Sequence, residues 1–167
     1  MKAKHFAWLI AYPVYQIIGT ARHELSHAAA AVLQGAHITQ VQILPSHLAG
    51  RGWYWGYIRF TGGTNGWAVP AAPYLCDLIT FALAAMIFRR FPGLPDWAKA
   101  NLFILGILSP WLNMAYNYRK VFFGSNGGDV VELMCALEPV SVNLVFIAAL
   151  IAMGAWAVAV FRTRLRG

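Results

Sequence analysis

The sequence predicts an all-α polytopic membrane protein, with about four transmembrane helices and a membrane-associated β-hairpin between the first and second. Composition is the first reason: 59% of residues are apolar and only 11% are charged, against about 25% charged in ordinary soluble domains. Several apolar runs reach the roughly 20 residues that cross a hydrocarbon core. Basic residues sit at the ends of those runs, as in Lys2, Lys4, Arg89, Arg90, Lys99, Arg162, Arg164 and Arg166. At 167 residues the chain has room for one domain, spanning 1–167, and it carries no internal repeat or low-complexity tract.

The first apolar run covers residues 6–33, with Pro13 as a kink point and Gly35 as its C-terminal stop. A helix of that length is roughly 40 Å long, so it must tilt, bend or protrude from the bilayer. Its basic-then-apolar start resembles a signal peptide, but no small-residue cleavage site follows; a retained helix is expected. The second run covers 67–88 and ends at "RRFPGLP"; the third covers 97–118. The fourth starts near Asp129, breaks at Glu138-Pro139 and continues over 140–161.

Between the first two runs the periodicity changes. Val41 and Ile43 alternate with Gln40 and Gln42, and Trp53, Trp55 and Tyr57 alternate with Tyr54 and Gly56. Period two marks strands, with "PSHLAGRG" as the turn and the aromatics at headgroup depth. His37 and His47 are expected on its surface.

The net charge of +7 does not point to nucleic acid, because no basic stripe interleaves with aromatics in a soluble segment. Its placement fixes topology: the basic flanks favour both chain ends on the cytoplasmic side, in the setting of a bacterial inner membrane. The outer side then receives Arg51, Arg59, Arg119 and Lys120. Cys76 and Cys135 are far apart, outside any CxxC pair, and read as small buried apolar residues.

Against that background "ARHELSHAAAAVLQG" stands out. Residues four apart share a helix face, so His23 and His27 can offer two nitrogens to one metal. Glu24 lies beside them, placed to take a proton from a metal-bound water, whose pKa zinc lowers to about 7. Placing a carboxylate at bilayer depth costs about 2.5–3.5 kcal/mol, so an ionisable cluster there reads as functional. The bland alternative is that Arg22, His23 and Glu24 pair among themselves or snorkel to an interface. The alanine run that follows allows close helix packing.

A catalytic zinc needs a third protein ligand and an open position. "SNGGDVVEL" offers Asp129 after two glycines whose backbone permits close approach, with Glu132 one turn on as a rival. Asp77, inside the second run, could support a ligand histidine, pair with Arg22 or face a water-filled cavity.

"HELSHAAAAVLQG" resembles the H-E-x-x-H helix of the site-2 protease family of intramembrane zinc metalloproteases. "SPWLNMAYNYRKVFFGSNGGDVVEL" is similar to that family's second motif, in which Ser and Asn residues precede a ligand Asp on the next helix. The resemblance implies one Zn2+ per chain held by His23, His27 and Asp129, with Glu24 as general base. It implies that Asn113 or Asn117 steadies the substrate backbone or oxyanion. No proline stands between Asn117 and Asp129, and no regulatory domain is visible, so a short, divergent member is implied.

The expected activity is hydrolysis of peptide bonds in membrane-spanning or membrane-associated protein substrates, with the lipid bilayer as the other partner. A substrate helix must unwind to be cut, and a hairpin edge could receive it as an added strand. Val41, Ile43, Trp53, Trp55 and Tyr57 are the candidate substrate contacts. The alternatives are a zinc-dependent hydrolase of a small amphiphile, an inactive membrane scaffold, or a metal transporter. The charge rule puts the histidines toward the outer half of the membrane, whereas the family's better-known members place the site nearer the cytoplasm.

Overall fold

The computed structural model describes the backbone of residues 4–48, 52–64, 66–123 and 127–165, with side chains for all of these except 4–10, 48, 52–54, 164 and 165. Lys2, Arg51 and Arg166, on which the topology reading partly rests, lie outside the described residues.

The helices fall where the apolar runs place them. Helix α1 (Lys4–Leu33) continues through Pro13. It ends as Gly35 suggests: Gly35 has φ +86, its N–H reaches Val32 O at 2.9 Å, and Ala36 N–H reaches Ala31 O at 3.0 Å. This pair of bonds satisfies carbonyls that a helix end would otherwise orphan. It also folds Ala36 onto Ala31, and both pack with Val69 in a small buried cluster. The alanine run thus does what its size permits, letting α2 (Ala68–Arg90) start close beside α1.

The third run is one continuous helical path, α3 (Asp96–Leu102), a π-helical stretch Phe103–Leu108 and α4 (Ser109–Phe122). In the stretch the Ser109 N–H bonds Ile104 O, five residues back, and the next residue, Pro110, has no N–H to give. Gly106 lets this path approach α2: a Cβ there would fall 2.5 Å from Ala84 Cβ.

The fourth run is broken at the expected place into α5 (Asp129–Ala136) and α6 (Pro139–Val160). Glu138 is extended, as a residue before proline prefers, and its carboxylate accepts from Val140 N–H (3.1 Å) and Ser141 N–H (2.6 Å). One core joins Tyr74, Met114, Tyr118, Val130, Leu133, Phe146 and Met153; a second joins Ala84, Phe88, Ile107, Ala157 and Val160.

Among the described residues two helices, Ala68–Arg90 and Pro139–Thr163, are long and apolar enough to cross a membrane. Their outward faces are exposed apolar stripes: Leu75, Ile79, Leu83 and Met86 on α2, and Val140, Leu144, Ile147, Ile151 and Val158 on α6.

The expected hairpin is present and longer than its periodicity suggested. Strand β1 (His37–Gln42) pairs antiparallel with β4 (Tyr57–Thr61), and β2 (Ser46–Leu48) pairs with β3 (Gly52–Tyr54). Half of the expected turn, residues 46–48 and 52, is therefore strand, and residues 49–51 lie outside the described residues. The register slips between Ile38 and Gln40, and a one-residue slip turns each later side chain to the other face. Val41 is accordingly exposed, while Ile38 and Gln42 are half-buried.

Candidate metal centre

His23 and His27 project from one face of α1, and α5 brings Asp129 to them. Gly128, with φ +120, makes the turn that sets Asp129 at the first position of α5. A side chain at Gly128 would be strained and would meet Lys120 Cδ at 3.3 Å. His23 Nε2 lies 3.0 Å from Asp129 Oδ2, His27 Nε2 lies 3.3 Å from the same oxygen, and the two nitrogens are 3.2 Å apart.

That triangle has the size of a zinc site. Tetrahedral zinc with bonds of about 2.0–2.1 Å keeps its ligand atoms about 3.3–3.4 Å apart. The donor set of two imidazoles and a carboxylate suits zinc as well. Among the described residues these three form the one group of His, Cys, Asp or Glu side chains near enough to hold a cation.

The surroundings fix the two rings differently. His27 Nδ1 donates to Val69 O at 2.8 Å, which leaves Nε2 with its lone pair toward the other two ligand atoms. His23 Nδ1 faces Asn113 Nδ2 at 3.0 Å. With that amide donating, His23 carries its proton on Nε2, directed at Asp129 and His27. For Nε2 to hold a cation, the ring would have to carry its proton on Nδ1 instead, and the Asn113 amide would have to turn away from donating to it. Tyr74 closes the side of the site: its hydroxyl donates to Asp129 Oδ2 at 3.4 Å, and its ring meets His23 edge-on at 6.2 Å.

Glu24 is buried, with 8% exposure, and interacts electrostatically with His23, His27 and Asp129. Arg22 does not hold it. Arg22 turns to Asp77, which is 1% exposed, with Nη2 2.7 Å from Oδ1, and it also donates to Leu105 O at 3.2 Å and Ser109 Oγ at 3.2 Å. Leu105 O is available because Ser109 N–H bonds Ile104 O and Pro110 lacks an N–H. Asp77 therefore does two of the things its position allowed. It pairs with Arg22, and through Asn113 Nδ2, 2.6 Å from Oδ2, it supports His23.

Asn113 and Asn117 are turned inward. Asn117 Nδ2 donates to Asn113 O (3.0 Å) and Oδ1 (3.1 Å), so the two amides brace each other behind His23. Glu132 is exposed and outside the ligand group. Cys135 is exposed and Cys76 half-buried, which corrects the expectation that both are buried.

Of the hairpin residues, Trp55 is 48% exposed and Ile43 half-buried, while Tyr57 accepts from Gln40 at 2.8 Å beneath the Arg59 guanidinium. The side chain of Trp53 lies outside the described residues. The hairpin residue that meets Glu24 is Gly56, where a Cβ would fall 2.9 Å from Glu24 Cγ. Sequence reasoning missed Gly56, Tyr74 and Val69. A glycine inside a strand pattern signals close approach of another group, and that signal was there to use.

No family model, no curated protein and no solved structure matches the chain.

Proposed function

We propose that this chain is an intramembrane zinc endopeptidase, multi-pass in a bacterial inner membrane with both ends cytoplasmic. The observation that carries the reading is the triangle of His23 Nε2, His27 Nε2 and Asp129 Oδ2, with Glu24 beside it on the same helix. The exposed apolar stripes of α2 and α6 support the membrane setting.

His23, His27 and Asp129 would hold the metal, and zinc bound there would supply Lewis acidity together with a water activated at neutral pH. Glu24 takes a proton as the peptide carbonyl is attacked and returns it to the leaving amine. Arg22 must be kept from neutralising that carboxylate, and its buried pairing with Asp77 does so. Asn113 holds the ring of His23 and Asn117 holds Asn113, so both amides position ligands in the resting state. The two-stranded β1–β4 sheet has an outer edge on each strand, and an extended substrate segment can add to one of them. Because Gly56 rests on Glu24, a strand held there lies close to the general base.

The test is zinc analysis of the purified protein in detergent, with cleavage of a transmembrane peptide by the parent and by Glu24→Gln. One zinc per chain and Glu24-dependent cleavage are expected. Cleavage of lipid in place of peptide would make it an amphiphile hydrolase, and a folded, zinc-free protein would end the metalloenzyme reading.

A further inference from the structure

The ring of His27 is set by a proline on another helix. Its Nδ1 lies 2.8 Å from Val69 O, and a carbonyl only accepts, so the ring proton is on Nδ1. In an uninterrupted α-helix the N–H of the residue four positions on would occupy that carbonyl. Here that residue is Pro73, fully buried inside α2, and proline has no N–H.

Position 73 is not where a helix tolerates proline for its own sake. Pro70 lies in the first turn of α2, where N–H groups lack helical partners in any case. Pro73 lies beyond that turn, where proline is the least favourable residue. The packing of Ala31 against Val69, one turn from His27, then brings the freed carbonyl within reach of the imidazole.

We infer that Pro73 is a positioning residue for the metal centre: by withholding a backbone donor it reserves Val69 O for His27 Nδ1–H and keeps His27 Nε2 free to ligate. This rests on the zinc reading above, and it goes further by assigning a role to a residue outside the group of candidate ligands. With an N–H at position 73, the helix would compete for Val69 O and His27 would lose its fixed tautomer.

The experiment compares Pro73→Ala, Pro73→Val and Pro70→Ala with the parent in detergent. Pro73→Val fills the buried volume better should the alanine variant fold poorly. Zinc affinity is measured by chelator competition, resistance to unfolding by denaturant titration, and the His27 tautomer by 15N chemical shifts of the metal-free protein. Both position-73 variants should unfold no more easily than the parent yet bind zinc about 10–100-fold more weakly, the usual cost of losing a ligand histidine's partner. Pro70→Ala should bind as the parent does. Parent-like zinc affinity and tautomer in the position-73 variants would overturn the inference, as would equal weakening in Pro70→Ala. If the parent itself binds no zinc, the functional reading fails. The 15N spectra then decide separately: a parent fixed with its proton on Nδ1 and variants showing mixed tautomers uphold the role of Pro73, and identical spectra end it.

Discussion

Gly56 of the hairpin rests directly on Glu24 of α1: a Cβ at position 56 would come within 2.9 Å of Glu24 Cγ and 2.5 Å of Thr20 Cγ2. Neither neighbour is the far end of a long, yielding side chain, so a methyl group must lift the hairpin or displace the carboxylate. Gly56→Ala is therefore expected to keep its zinc, because no ligand moves, and to lose about 10–100-fold in peptide cleavage through misplacement of the base and the strand beside it. Metal analysis and a cleavage assay on the same preparation check this. Unchanged cleavage would mean the hairpin plays no part in presenting substrate.

Glu24→Gln preserves shape and leaves both imidazoles untouched. It removes the proton acceptor, so hydrolysis should fall by about 100-fold or more while zinc content and unfolding behaviour stay at parent values. A variant that cleaves at the parent rate would remove Glu24 from the chemistry altogether.

The Arg22–Asp77 pair makes a prediction about stability rather than rate. Its carboxylate is 1% exposed, and the guanidinium also spans to Leu105 O and Ser109 Oγ, tying α1 to α2 and to the π-helical stretch. Asp77→Ala strands a buried cation and should cost about 3–5 kcal/mol, whereas the double variant Arg22→Met, Asp77→Leu should recover most of that loss. Denaturant titration of the two variants in detergent measures both. An Asp77→Ala protein as stable as the parent would show the pair to be solvated.

These cases mark what the sequence could and could not convey. His23, Glu24 and His27 were legible because helix periodicity alone puts two nitrogens on one face. Asp129 was legible because paired glycines precede it, and Gly128 does adopt a conformation that other residues resist. The break at Glu138-Pro139 was legible for the same local reason. Partners across helices were not: Asp77 was open to several roles, and its bonds to Arg22 and Asn113 depend on how α1, α2 and α4 meet. The register slip between Ile38 and Gln40 was not legible either, because it leaves no mark on an alternating pattern. The carbonyl of Val69 is a backbone atom, and only the proline four residues on hints at its availability.

The identity of the third ligand can be decided by metal analysis, since the three candidate carboxylates occupy different surroundings. Asp77 is committed to Arg22 and Asn113. Glu132, one turn beyond Asp129 on α5, is exposed. Asp129 lies 3.0 Å and 3.3 Å from the two imidazole nitrogens. Loss of a direct ligand should remove most of the zinc affinity, whereas loss of a supporting group costs about 10–100-fold. Asp129→Ala is thus expected to lose zinc as thoroughly as His23→Ala, while Glu132→Ala and Asp77→Ala retain it at micromolar zinc, the latter with reduced stability. A metal-replete Asp129→Ala beside a metal-free Glu132→Ala would move the ligand one turn along α5 and would require α5 to rotate toward α1.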